Sequence, residues 1–240
     1  MEPYKTFKIQ ELLENNTYPG RGIVIGMSEC GNFAVSAYFI MGRSENSRNR
    51  VFTEQGEELM IYPFDSTKVA NPELIIYAPV RVYQNHLIVT NGDQTDTIYD
   101  YLSRGLRFED ALNTRSFEPD SPNFTPRISG LMKFHVKDFN YKLNILKSTD
   151  EAGSECNRYT FSYEPIPGLG HFIHTYNGDG NPIPSFTGEP ERVFIPSDID
   201  EFTTAIWNSL NAVNKVALYV RYNNLKDRTH ETRIVNKHAK

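Results

Sequence analysis

The stretch MGRSENSRNRVF (41–52) concentrates hydrogen-bond donors directly after an apolar run, FAVSAYFI (33–40). Between residues 43 and 50 stand three arginines, Arg43, Arg48 and Arg50, with Asn46, Asn49, two serines and a glutamate. Arginine's planar fork of donors suits phosphate and other oxyanions. The stretch therefore reads either as an anion site or as a solvated turn, and composition leaves both open. Four further polar clusters fall at expected strand ends. They are Arg21 in PGRG; Tyr77 inside an apolar run; TNGDQTD (90–96) with Asn91, Asp93, Thr95 and Asp96; and FEPDSPNFTPRI (117–128) with Glu118 and Arg127. Each has a plain structural reading: Arg21 as a solvated strand start, Tyr77 as core, NGD with Thr95 as a turn and helix cap, and Glu118 as a solvated loop carboxylate. A helix opening after Asp93 would add free backbone N–H groups, a second anion-friendly feature. Together these clusters suit a phosphorylated small molecule held without a metal.

Other chemistries lack their signatures. There is no GxxxxGK(S/T) phosphate loop, no GxGxxG after a strand and no GxSxG elbow. His171 and His174 form HxxH without a nearby carboxylate or cysteine, so they read as loop or wall residues rather than ligands. The two cysteines, Cys30 and Cys156, form no CxxC pair and imply neither a disulfide framework nor structural zinc. An N-terminal nucleophile is not expected, because a polar leader precedes the first strand.

The elements that must position these groups are mostly strands in hairpins. Ile23–Met27 and FAVSAYFI flank the turn SECGN; ELIIYAPVRVY (73–83) and HLIVTN (86–91) flank Gln84 and Asn85. In GDQTDTIYDYLSRG, Ile98, Tyr101 and Leu102 fall at helical spacing, and Gly105 is a stop. FEDALN (108–113) predicts a second short helix, RISGLMKFHV and YKLNILKS another strand pair, and DIDEFTTAIWNSLN a helix capped by Asp198 or Asp200. KVALYVRY (215–222) is a last strand. Residues 164–191, with five of the 14 prolines and five of the 15 glycines, read as a long loop. Hairpins followed by separate helical blocks predict an α+β fold of antiparallel sheets with helices packed outside. The chain divides into a polar leader (1–17, with a short helical turn at 8–14), one domain (18–222) and a charged, mobile tail (223–240).

Bulk properties narrow the partners. The chain has 240 residues, 39% hydrophobic, and a formal charge of −5. That balance gives no general attraction to nucleic acid or to an anionic membrane. The aromatics are not interleaved with a basic stripe, which argues against an RNA-binding module. No apolar run approaches membrane-spanning length, and the N-terminus shows no signal-peptide pattern. A cytoplasmic location is expected.

In order, YPGRGIVIG, AYFIMGRSENSRNR, IIYAPVR, VTNGDQTD and TPRI resemble the archaeal-type inosine monophosphate (IMP) cyclohydrolases, and more closely that family's bacterial branch. The resemblance spans roughly residues 18–222. It implies a four-layer αββα, N-terminal-nucleophile-hydrolase-like fold with two stacked antiparallel sheets between helices. It also implies a homo-oligomer and no cofactor or metal. The activity it implies is ring closure of formamidoimidazole carboxamide ribonucleotide (FAICAR) to IMP in purine biosynthesis, with a purine ribonucleotide as the small-molecule partner. The alternative is a non-catalytic purine-nucleotide-binding relative, or a paralogue acting on another nucleotide. The family's catalytic residues match Arg50, Tyr77 and Glu118 here. Arg21, Arg43, Arg48, Asn49, Asn91, Asp93, Thr95, Asp96 and Arg127 match substrate-binding or supporting positions. The arginine stretch is longer than the archaeal RSFPNR form, so Arg48 could stand in for Arg50. GLGHFIHTYNGDGNPIPSF (168–186) is also longer and could cover the pocket.

Overall fold

The computed structural model describes residues 4–68 and 76–238. In chain order the elements begin with α1 (Ile9–Asn15), β1 (Arg21–Met27), β2 (Phe33–Met41), α2 (Glu45–Arg48), β3 (Val51–Gln55) and β4 (Glu58–Tyr62). There follow β5 (Val80–Tyr83), β6 (His86–Thr90), α3 (Gln94–Ser103), α4 (Phe108–Asn113), β7 (Arg127–Phe134), β8 (Phe139–Ser148) and β9 (Cys156–Tyr163). The chain closes with β10 (Leu169–His174), β11 (Glu191–Phe194), α5 (Ile199–Ser209), β12 (Lys215–Asn224) and β13 (His230–Asn236). The strands form a six-stranded sheet ordered β11-β10-β1-β2-β12-β13 and a seven-stranded sheet ordered β3-β4-β5-β6-β7-β8-β9. All neighbouring strands in both pair antiparallel.

Three apolar clusters show how the layers stack. Ile23, Ile25, Tyr38 and Ile40 of the first sheet meet Leu87, Val89, Ile128 and Leu143 of the second. The first sheet's other face, through Val24, Val35, Phe39 and Phe172, packs on Ile9 and Leu13 of α1 and Phe202 and Ile206 of α5. The second sheet's outer face packs Ile88, Leu131 and Leu146 on Ile98, Phe108 and Leu112 of α3 and α4. This is an α+β fold with two stacked sheets between helices. Because β1 and β2 bury both faces, FAVSAYFI reads as a continuous apolar run rather than an alternating one. Asp198 caps α5, its carboxylate accepting the Glu201 N–H at 2.8 Å. No described helix is long and apolar enough to cross a membrane.

Four segments differ from the sequence-based expectation. The long strand read over 73–83 is ordered as a strand only from Val80, and Glu73–Ile75 lie outside the described residues. Tyr77 therefore precedes β5, although its carbonyl still accepts the Ile61 N–H at 3.1 Å; Pro79, which has no N–H, separates it from the ladder. The 164–191 segment holds β10, buried throughout and paired between β1 and β11. Its flanking glycines and prolines hide six strand residues, and its two histidines break the apolar signal. The charged tail from Asn223 contributes β13, an edge strand whose charged side chains suit a sheet margin. Residues 51–62, left unassigned by the sequence-based elements, form a hairpin whose outer strand β3 turns polar residues to solvent while Phe52, Leu59 and Ile61 enter the core.

Candidate active site

At one end of the sandwich lies a cavity of about 730 Å³, within the range of small-molecule sites. Its walls come from chain ends that the antiparallel pairing gathers. Arg21 opens β1, and Arg43, Ser44, Ser47 and Arg50 belong to the β2–β3 connection. Tyr77 precedes β5, Asn91, Gly92 and Asp93 link β6 to α3, and Glu118 to Thr125 follow α4. Arg127 opens β7, while Tyr176 and Ile183 follow β10. The lining holds four arginines against three carboxylates, Asp93, Glu118 and Asp120, in a chain whose net charge is −5.

Arg50 is the least satisfied of these cations. Its Nε is buried without a hydrogen-bond partner among the described residues. Burial first, and then the charge of Arg21, pull its pKa below the ordinary arginine value. A buried donor without a partner is costly, and the residue that bears it lines the cavity, where its guanidinium can meet a ligand oxygen. Arg21 donates to the Met41 carbonyl, which seats its guanidinium beside Arg50.

Tyr77 donates its hydroxyl proton to the Asn91 carbonyl at 2.8 Å. Burial raises its pKa despite the opposing charges of Arg50 and Arg21. A tyrosine needs a nearby cation to act as a base; the cations are present, but burial outweighs them and the group stays a neutral phenol. Burial likewise raises the Glu118 carboxyl against the pull of Arg127, 4.0 Å away, and of Arg21. Arg127 also donates to Asp93 at 2.7 Å and to Gln94 at 2.8 Å. Arg115 makes a second bond to Asp93, and these arginines hold that carboxyl below its usual range although burial opposes them. A Cβ at Gly92 would lie 2.5 Å from Arg127 Nη1, so only glycine lets this bridge pass. Asn91 is a scaffold: its amide donates to the Pro126 carbonyl at 2.9 Å and accepts the Ile128 N–H at 2.9 Å.

The segment after β10 closes over the same cavity. Arg43 pairs with Asp179 and donates to the Gly180 carbonyl at 2.8 Å. Tyr176 bonds Thr125 at 2.6 Å and stacks on Tyr18 with centroids 5.9 Å apart. The Ile183 N–H donates to Asn123 at 3.1 Å. No group of three His, Cys, Asp or Glu side chains converges to hold a metal ion among the described residues.

A profile of the family described as IMP cyclohydrolase-like protein matches residues 18–228. The chain belongs to that family. Among curated relatives, the IMP cyclohydrolase of Methanothrix thermoacetophila is 32% identical over 119 residues, 48% of this chain and 57% of that one. Those of Methanococcus aeolicus and Methanopyrus kandleri are 33% identical over 129 and 116 residues, 52% and 47% of this chain and 62% and 57% of theirs. The matched stretch thus spans little more than half the length of these relatives.

Within this IMP cyclohydrolase-like chain, the cavity gathers Arg21, Arg43, Arg50, Tyr77, Asn91, Asp93, Glu118 and Arg127 of the sequence-predicted set. It leaves out Arg48, Asn49, Thr95 and Asp96. Arg48 donates to the Gly42 carbonyl and to Asn214, both at 2.9 Å. Asn49 is locked to the Asp65 backbone, Thr95 bonds Thr90 and the Gly92 carbonyl beneath the turn, and Asp96 pairs with Arg81. The two-residue spacing settles which arginine enters: α2 turns Arg48 outward while Arg50, just before β3, turns inward. Arg48→Ala should leave ligand binding within about twofold. It should lower the melting temperature by roughly 2–4 °C for about 1 kcal/mol of lost hydrogen bonding, a pair of outcomes that calorimetry and titration check. Sequence reading missed Tyr18, Ser44, Ser47, Asp120, Asn123, Tyr176 and Ile183. Ser44 and Ser47 lie in the arginine stretch, Asp120 and Asn123 in the polar loop, and Tyr176 and Ile183 in the 168–186 segment, all noted above but not singled out.

Proposed function

We propose that the protein is an IMP cyclohydrolase, closing FAICAR to inosine monophosphate with release of water. The Arg50 guanidinium, gathered with Tyr77 and Glu118 in one cavity wall, carries this reading, supported by the family membership. In ring closure the carboxamide nitrogen attacks the formyl carbon. Arg50 is placed to hold the formyl oxygen as its negative charge grows. The Glu118 carboxylate takes the proton shed by the attacking nitrogen and returns it to that oxygen, giving a carbinol. Tyr77, a neutral phenol, protonates the carbinol hydroxyl so that it leaves as water. The substrate's own adjacent groups supply proximity, so placing donors and moving protons suffices, and the reaction is read as metal- and cofactor-independent. Arg43, with Ser44 and Ser47 beside it, suits the phosphate, and Asp93 suits ribose hydroxyls. Arg21 and Arg127 support the charge of Arg50's neighbourhood and of Glu118.

Ultraviolet monitoring of FAICAR conversion by purified protein, with chelator present, is the test. Turnover at an ordinary enzymatic rate is expected. Tight IMP binding without turnover would replace the enzyme by a non-catalytic purine-nucleotide binder.

A further inference from the structure

Tyr38, in the middle of β2, is fully buried (0% exposed) and does not line the cavity. Its ring stacks on Phe52 with centroids 5.5 Å apart, and its hydroxyl lies 3.2 Å from that of Tyr77. A phenol has a single O–H. Tyr77 spends its own on the Asn91 carbonyl, so Tyr38 must be the donor and Tyr77 the acceptor between them. Burial, foremost, holds the Tyr38 phenol well above its ordinary pKa, which keeps that donor protonated.

The order of this chain, Tyr38 to Tyr77 to Asn91, has a chemical consequence. When Tyr77 turns its proton toward a leaving oxygen it gives up the Asn91 bond and keeps the one from Tyr38. That remaining bond strengthens as its acceptor becomes anionic. The other charged or titratable groups facing Tyr77 are Arg50 and Arg21, which favour a phenolate, and Glu118, which opposes it.

We propose that Tyr38 is a positioning residue that holds the Tyr77 oxygen and stabilises the phenolate formed while the leaving oxygen is protonated. This rests on the reading of Tyr77 as proton donor in ring closure. In that step the Tyr77 O–H breaks and its proton joins the carbinol hydroxyl. The C–O electron pair leaves with the oxygen as water. The lone pair of the former formamide nitrogen forms the C=N bond, and the proton this nitrogen sheds returns to the phenolate.

Tyr38→Phe keeps the ring and its stacking and deletes only the donor. With FAICAR, kcat should fall roughly tenfold while KM stays within about twofold, the loss of one charge-assisted hydrogen bond in the transition state. Added to Tyr77→Phe, the same change should cost nothing more. Wild-type turnover in Tyr38→Phe, or a loss that persists in the Tyr77→Phe background, overturns the inference. If the wild-type protein does not close the ring at all, it is the functional reading that fails. The Tyr38 assignment is then decided without activity by placing 3,5-difluorotyrosine at position 77 and titrating phenolate absorbance. Tyr38→Phe should move that titration to higher pH by roughly half a pH unit or more, and an unmoved titration overturns the assignment.

Discussion

Arg50→Ala is expected to lower kcat for ring closure by roughly 10²–10³-fold, the usual cost of removing one donor aimed at a developing oxyanion. Among the described residues, Arg50 alone combines a partnerless buried donor with a place in this cavity's wall. Its charge is already disfavoured there by burial and by Arg21, so its removal should relieve repulsion. The melting temperature of Arg50→Ala should hold or rise while activity collapses, the pattern of a residue kept at the expense of stability. Arg50→Lys keeps a charge without the planar fork and should recover little of the rate. Steady-state kinetics paired with thermal denaturation checks all three outcomes. A variant that turns over normally would remove Arg50 from the chemistry, and one that unfolds would overturn the expected gain in stability.

Glu118→Gln should lower kcat by roughly 10²–10⁴-fold, the range for a general base, and should erase the acid limb of the pH–rate profile. The working form is the carboxylate, so activity falls as pH drops through its pKa. Burial raises that pKa above the ordinary glutamate value, so the wild-type limb lies at higher pH than an unperturbed glutamate would give. The same shift has a stability sign. A carboxyl whose folded pKa is raised binds its proton more tightly in the native state, and its contribution is lost as pH rises through the folded value. At neutral pH the neutral glutamine should therefore be tolerated or stabilising. Kinetics from pH 5 to 9 with parallel melting curves tests this. A Glu118→Gln profile that retains the wild-type acid limb would assign that limb to another group.

Much of the layering was legible because local signals agreed. Tight polar turns marked the hairpins of β1–β2 and β5–β6, and helical spacing with flanking caps marked α3, α4 and α5. The two strands missed after residue 164 share one cause, pairing with partners distant in the chain. β10 is a strand because β1 and β11 lie on either side of it, although its glycine- and proline-rich flanks suggest a loop. β13 is a strand because β12 offers an open edge, although its own composition is that of a mobile tail.

The site divides along the same line. Residue types in the sequence established that a donor-rich cluster follows β2, and motif order pointed to the family. Neither could decide between Arg48 and Arg50, because both are arginines two residues apart with the same intrinsic chemistry. The tertiary structure separates them: Arg48 is satisfied by Gly42 and Asn214 and lies off the cavity, while Arg50 lines it and its Nε has no partner among the described residues. It likewise keeps Tyr77 a neutral phenol, since desolvation there outweighs the nearby cations, which suits the proposed proton donor rather than a base, and it brings the Tyr38 hydroxyl to Tyr77 from a strand that reads as pure core. Side-chain chemistry is local and travels with the sequence. Solvation, partner choice and proton direction arise from contacts between segments far apart in the chain, and exist only once it has folded.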